Sequence, residues 1–511
     1  MREPFLTAFV ALSAVILLWD IAVAARIARK RNAPPAFAFL SALVGLLIAP
    51  ALLVALASAS TLLGRALQAT AWIWPAVIVL AAVQAMWAAS RRLVAPLVAA
   101  PIALYNIILA ANAVASYAIS RGAEIPAFLL ALRAADASAL ALAASPTALG
   151  APFIVHIPIL SPALPSQWRL TMMFRGVLAA VAAGWSALIL SQLPIGRQAV
   201  ASYRPYADAL IQERPEGDFR VGVRLFPTLG GGPPPLALRN DRATADTLRA
   251  AVVAVVLAPD GTGPIALDSL ARSLDELRRG GAWLVVALAY PTEVAAFARP
   301  PRRLDIDRRL RAVDRIARRL RPHVILPAYE PYGAARRAVG TLPVEEWQRY
   351  LTEAARVAHE ADPRVGVGVA ASSFGPRDST LYAWAASADS PLDVAGFGFQ
   401  PSRAGARGLE AQLAAAERWM RASGSTKPHW VFNASGYPMS HGELAQERTL
   451  WRVLAWATNQ PLVRGMIVGD AGDYDRMYGL RAPDGRLRRA TFSLARAIRR
   501  LREHVEAAPA G

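Results

Sequence analysis

The chain has 511 residues, with 56 Lys and Arg against 37 Asp and Glu for a formal net charge of +19, and it contains no cysteine. The missing thiols exclude disulfides, thiolate metal sites and a cysteine nucleophile, and are compatible with either side of a membrane. Lys30 and Lys427 are the only lysines, so the charge is carried by arginine; along stretches such as 302–321 it is interspersed with Asp305, Asp307 and Asp314. That pattern describes a solvated helix face, and no nucleic-acid partner is expected.

The first two hundred residues read as membrane. Apolar runs at 6–25, 35–57, 71–89, 93–119 and 170–193 have about the 20 residues needed to cross roughly 30 Å of hydrocarbon. They are too many and too long to be one cleaved signal peptide. A further run, 125–145, contains Arg133 and Asp136, three apart and able to pair on one helix face. It predicts either a sixth span or an interfacial or re-entrant helix, since Pro146, Pro158, Pro162 and Pro165 make the next stretch irregular. His156, in that stretch, is expected in a loop at the interface.

Arg26, Arg29, Lys30 and Arg31 follow the first span and Arg91 and Arg92 the third, against only Arg65 and Arg121 after the second and fourth. The positive-inside rule then places the N-terminus outside. Six spans put the C-terminal half outside too; five leave it in the cytoplasm. The expectation is a multi-pass plasma-membrane protein with the lipid bilayer as partner, an all-α transmembrane bundle over 1–193, and an extracytoplasmic C-terminal domain.

Residues 194–218 are polar, carry two Arg-Pro pairs and predict a linker. Beyond them short apolar runs alternate with helical periodicity. Candidate strands are 219–226, 251–257, 282–289, 323–328, 364–371, 392–399, 429–433 and 463–468, and charged-faced helices fill the intervals. Eight such units over 219–505, followed by a short tail at 506–511, fit a closed α/β TIM barrel, (β/α)8. A doubly wound open sheet is the alternative, but the Gly230-Gly231-Gly232-Pro233-Pro234-Pro235 run lacks the form of a phosphate-binding turn.

A barrel does its chemistry at the C-terminal ends of its strands, and sorting residues by that position gives a short set. Arg224 lies on strand one, Glu293 after strand three, Glu330 at strand four, Gln400 after strand six, Asn433 at strand seven, and Asp470 and Asp473 after strand eight. Tyr290, Tyr329, Tyr332, Phe399, Trp430 and Tyr437 add aromatic surface. Sugars suit such a rim, because aromatic faces cover C–H surfaces while carboxylates and amides bond hydroxyls. Cleaving a glycosidic bond by the common route needs two flanking carboxylates. Asp470 and Asp473 sit in a turn sequence where Asp is frequent for backbone bonding alone, and Glu293 also suits a helix cap. No histidine pairs with a carboxylate at ligand spacing, so neither metal nor cofactor is expected.

From 219 to 502 the chain resembles the clan of retaining (β/α)8 glycoside hydrolases that includes cellulases, mannanases and β-galactosidases. Tyr329-Glu330-Pro331 is similar to the Asn-Glu-Pro that ends the clan's fourth strand, with the Asn replaced. Asp393-Val394-Ala395-Gly396-Phe397-Gly398-Phe399-Gln400-Pro401 is similar to its sixth strand and Lys427-Pro428-His429-Trp430-Val431 to its seventh. The ending Asp473-Tyr474, Tyr478-Gly479-Leu480 and Asp484-Gly485 matches many members. The resemblance implies Glu330 as proton donor, with Arg224, Tyr329, Tyr332, Gln400, Asn433 and Tyr437 positioning substrate. It departs where the nucleophile should stand: strand seven closes on Asn433, and an amide cannot replace a carboxylate there. Asp470, Asp473 and Glu293 are then the candidates for a second carboxylate. Two functions follow as expectations. One is a membrane-anchored glycoside hydrolase-like protein acting on or binding an extracytoplasmic glycan or polysaccharide. The other is an inactive barrel serving polysaccharide synthesis, export or surface assembly, with the bundle holding membrane partner proteins or a lipid-linked sugar.

Overall fold

The computed structural model describes residues 4–29, 33–58, 66–143, 156–162, 169–214, 217–226, 235–290, 303–401, 405–474 and 478–507. Glu293 and the Gly230–Gly232 run lie outside them.

The N-terminal helices are α1 (Pro4–Ala28), α2 (Pro35–Ser58), α3 (Ile73–Ser90), α4 (Pro96–Ser120), α5 (Ala127–Ala143), α6 (Arg169–Ser191) and α7 (Leu193–Ala201). Among the described residues five helical stretches, α1, α2, α3, α4 and α6 continuing through α7, are long and apolar enough to cross a membrane. Their outward faces carry large apolar side chains such as Leu18, Phe39, Leu46, Leu53, Leu97 and Met173. α5, at 17 residues, packs against α4, α6 and α7. Gly196 of α7 rests on the α5 backbone, where a Cβ would fall 2.2 Å from the Ala131 carbonyl oxygen.

Two sequence expectations are corrected here. Arg133 and Asp136 do not pair: Arg133 donates to the carbonyls of Met439 (2.7 Å) and Asn112 (3.2 Å), and Asp136 meets His156 (3.2 Å). The 156–162 stretch is not an interfacial loop but an extended segment inside the bundle. Asn106 bonds both the N–H and the carbonyl of Ile159 (3.0 and 2.8 Å), Gln84 does the same for Ser161 (2.9 and 2.9 Å), and Asp20 accepts from the Leu160 N–H (2.8 Å). Two prolines forbid a helix there, and non-helical backbone buried among apolar helices survives only when protein groups satisfy it.

The second half is a closed barrel of eight parallel strands in sequence order. They are β1 (Arg220–Arg224), β2 (Val252–Leu257), β3 (Trp283–Leu288), β4 (Val324–Ala328), β5 (Gly366–Ala371), β6 (Val394–Phe399), β7 (His429–Ala434) and β8 (Val463–Asp470). All six residues of β2, Val-Val-Ala-Val-Val-Leu, are buried, as expected of a parallel strand covered on both faces. The outer helices are α8 (Pro235–Leu248), α9 (Pro264–Arg279), α10 (Ile306–Leu320), α11 (Ala334–Val339), α12 (Val344–Ala361), α13 (Pro376–Ala386), α14 (Gly405–Ser423), α15 (Pro438–His441), α16 (Glu443–Thr458) and α17 (Arg489–Ala507). They bury one stripe each; α9 uses Leu267, Leu270 and Leu274, a three-and-four spacing that faces the sheet. Trp283 and Trp430 stack at 6.0 Å near the strand starts. Gly465 makes room for that packing, since a Cβ there would lie 2.5 Å from the Trp430 ring. Phe399 stacks at 5.6 Å on Phe374 and is fully buried, so neither it nor Trp430 belongs to the rim.

Within the expected linker, residues 202–214 form a strap laid on the barrel. They run beside α16 in the same direction. Tyr203 packs on His441 (5.7 Å between rings), Ala209 accepts from the Trp451 indole (2.8 Å), the Gln212 N–H bonds Thr458 (3.1 Å), and Arg214 reaches the Gln460 carbonyl (3.2 Å) before β1 begins.

Candidate functional site

β4 ends at Ala328, and the next two residues set the site. Glu330 has a φ of 50°, a left-handed conformation that few residues other than glycine adopt and that marks stored strain. Its carbonyl accepts from Gly333 (3.0 Å) and Ala335 (3.2 Å), which holds that turn. Behind it the buried Arg309 donates to the carbonyls of Leu288, Ala289 and Pro327, tying the ends of β3 and β4 together.

The Glu330 side chain is buried, 3% exposed. Its Oε1 accepts from Gln400 Nε2 (3.0 Å) and Asn433 Nδ2 (3.0 Å), and Asn433 is oriented in turn by the Ser435 hydroxyl (2.8 Å to Oδ1). Both bonds fall on Oε1, and among the described residues no donor reaches Oε2. Asn433 reaches this position through a bulge. Phe397 pairs with Val431 and Gly398 with Asn433, so Phe432 is the extra residue on β7; such insertions re-aim the next side chain. Gly398 matters here for lack of bulk: a Cβ would stand 2.9 Å from Glu330 Oε1.

Among the described residues the buried Ser372 hydroxyl beside the carboxylate has no hydrogen-bond partner; the Tyr290 hydroxyl, also without one, lies with Arg309 and Trp347 behind the strands. Ser372 packs in the same cluster as Glu330 and Gly333. Burial raises the Tyr290 phenol well above its ordinary range; Arg309 opposes this, and the Tyr350 phenol and the Glu330 charge add to it. Tyr437 is half-buried, its hydroxyl 3.5 Å from Gln400 Oε1.

The remaining candidates go elsewhere. Arg224 does not touch Glu330: its Nε bonds Asp470 (2.6 Å), and its other two nitrogens bond the hydroxyls of Tyr478 (2.6 Å) and Tyr329. Burial opposes the Arg224 charge, but Asp470 and the two phenols outweigh it and hold the guanidinium charged. Asp473 is fully enclosed, bidentate with the buried Arg488 (2.8 and 2.5 Å) and accepting from the Gly479 N–H (2.8 Å). Tyr332 turns away from the mouth, and its hydroxyl donates to the Leu342 carbonyl (3.3 Å). Glu330, Gln400, Asn433 and Tyr437 therefore converge, while Arg224, Tyr329, Asp470 and Asp473 belong to neighbouring ion-pair clusters. Ser435 lacks the Gly-x-Ser-x-Gly context of a nucleophile and acts here by orienting Asn433, and the Ser372 hydroxyl has no sequence signal beyond its place just after β5. Among the described residues no cluster of three His, Asp or Glu could hold a metal ion.

No protein-family model matches the chain, and no curated protein matches it in sequence. Similar solved structures include a GH5_18 protein from Streptomyces cattleya in complex with GlcNAc, at 15% identity and TM-score 0.44 over 57% of this chain and 81% of that one. A GH5_18 protein from Bifidobacterium longum subsp. longum shows 10% identity and TM-score 0.43 over 56% and 80%. A β-glucosidase from Thermotoga maritima in complex with azafagomine shows 12% identity and TM-score 0.43 over 56% and 98%. The barrel itself rests on its own strand order.

Proposed function

We propose that this chain is a membrane-anchored barrel that binds an extracytoplasmic glycan around Glu330. One observation carries the reading: two amides pin one oxygen of a buried carboxylate, while among the described residues no donor reaches the other oxygen and the adjacent buried Ser372 hydroxyl has no partner. Buried polar groups in native proteins are nearly always paired, and groups of mixed donor and acceptor character suit the hydroxyls of a sugar.

Binding is favoured over cleavage. The two-carboxylate route needs a second free acid across the scissile bond, and among the described candidates Asp470 and Asp473 are each committed to a buried arginine, Glu293 lying outside the described residues. Such a barrel suits a part in polysaccharide synthesis, export or surface assembly. The direction of the helices supports an outside location. The arginine-rich connections after α1 and α3 mark the cytoplasmic side, and α4 ends on the opposite side, where Glu124 of the following loop meets Arg489 of the barrel (3.3 Å).

The test is a glycan array probed with the full chain in detergent beside Glu330→Gln. Retention of a defined glycan, weakened roughly tenfold or more in the variant as for a hydrogen bond to a charged group, is the expected result. Equal retention by both, or none by either, removes the assignment.

A further inference from the structure

The barrel presents its mouth, not its floor, to the membrane bundle. α15, which follows β7, docks on α5 through Arg133 and the Met439 carbonyl (2.7 Å), and Leu130 covers Gly442. The β8–α17 loop meets the end of α4, with the Arg486 guanidinium lying over Gly122. The strap leaves the bundle at the start of α16 and descends to β1 at the far end of the barrel. Asn433 and Met439 are six residues apart, at most about 20 Å of chain, so the end of β7 that holds Asn433 lies within that reach of the Met439 contact with α5. Arg133 is five residues along α5 from the exposed Phe128, roughly 7 Å deeper at helical rise, which places the β7 loop at the level of the bundle's apolar surface.

A second observation is independent of those contacts. Among the described residues of the strap and barrel, the exposed large apolar side chains are Leu210, Leu236, Ile265, Leu444 and Phe492. Leu210 is on the strap. The other four stand in the first turns of α8, α9, α16 and α17, and the N-terminus of each such helix lies on the mouth face. In barrel order these helices follow β7, β8, β1 and β2, one continuous sector of the rim whose β7–β8 end adjoins the bundle.

We propose that this rim, Leu236, Ile265, Leu444 and Phe492, lies in the interfacial layer of the bilayer, and that the Glu330 site takes a saccharide carried on a membrane lipid. The ligand class rests on the glycan reading above; the seating of the rim does not. The mouth then opens along the membrane plane on the side of β4 and β5. A lipid-linked sugar enters without leaving the bilayer, and confinement raises its effective concentration into the millimolar range.

The absence of cysteine allows single labels. In the full chain in lipid nanodiscs, Leu236→Cys and Ile265→Cys are labelled with an environment-sensitive fluorophore, with Arg279→Cys at the opposite end of α9 as control. The rim labels are expected to be quenched by spin-labelled lipid and the control not; equal quenching, or none at the rim, overturns the seating. In the same discs glucose, mannose and N-acetylglucosamine are offered as polyprenyl-phosphate conjugates and as free methyl glycosides. At least one conjugate is expected to bind about tenfold or more tighter than its free form, with loss in Glu330→Gln. Equal affinity of both forms overturns the lipid-linked ligand while leaving glycan binding intact. Binding of neither form removes the saccharide itself, and rim quenching would still report the orientation.

Discussion

Replacing Arg224 by Met tests the claim that this arginine holds the fold rather than the ligand. The guanidinium is 4% exposed and Asp470 2%, and the three guanidinium nitrogens are bound to Asp470, Tyr478 and Tyr329. Removing one partner of a buried pair strands the other charge at a cost of about 3–5 kcal/mol, whereas replacing both with apolar groups is close to neutral. Arg224→Met should therefore lower the thermal midpoint of the full chain in detergent by about 10 °C, taking roughly 2–4 °C per kcal/mol for a domain of this size. Adding Asp470→Leu should recover most of that, which a double-mutant cycle reads as a coupling on the order of 3 kcal/mol. A near-wild-type midpoint with abolished glycan binding would refute the reasoning and return Arg224 to the ligand site.

Gly398→Ala should weaken glycan binding roughly tenfold with little change in the thermal midpoint, since its methyl meets Glu330 Oε1 at 2.9 Å; isothermal titration beside a melting curve separates the two effects. Asn433→Asp sets a second carboxylate against Glu330 in place of a donor at 3.0 Å, and like charges this close cannot both ionise. Binding by this variant should fall at about pH 8 and recover on acidification toward about pH 5. His441, buried where the barrel meets the bundle, has its pKa lowered from 6.5 to about 4 by burial and then by the Arg133 charge. Unfolded chain takes up the proton first, so stability is full above about pH 6.5 and falls as pH drops toward 4, by as much as about 3 kcal/mol. Protease sensitivity of the strap at falling pH reports it, and His441→Gln should flatten the profile. Asp473→Asn should destabilise the chain through Arg488 while the protein that remains folded binds glycan normally.

The eight strands were legible because a parallel barrel strand is buried on both faces and reads as an unbroken apolar run; 251–257 and 282–289 contain β2 and β3. Glu330, Gln400 and Asn433 could be placed by the same logic, since strand ends aim at the mouth. Their mutual hydrogen bonds could not, because the Phe432 bulge that turns Asn433 inward depends on register with two neighbouring strands. Arg224 and Tyr332 misled for a similar reason: partners such as Tyr478 and Leu342 lie 254 and 10 residues away, and position in a strand does not reveal them. The buried 156–162 segment has no periodicity of its own. Its conformation is imposed by Asn106, Gln84 and Asp20 on three other helices, so local sequence showed only that no helix could form.

An electron-microscopy map of the full chain in a lipid nanodisc, soaked with a saccharide that binds it, examines site and orientation together. The account predicts the mouth turned to the disc and ligand density within hydrogen-bonding distance of Glu330 Oε2 and the Ser372 hydroxyl. A mouth facing away from the lipid, or density seated elsewhere on the barrel, would contradict it.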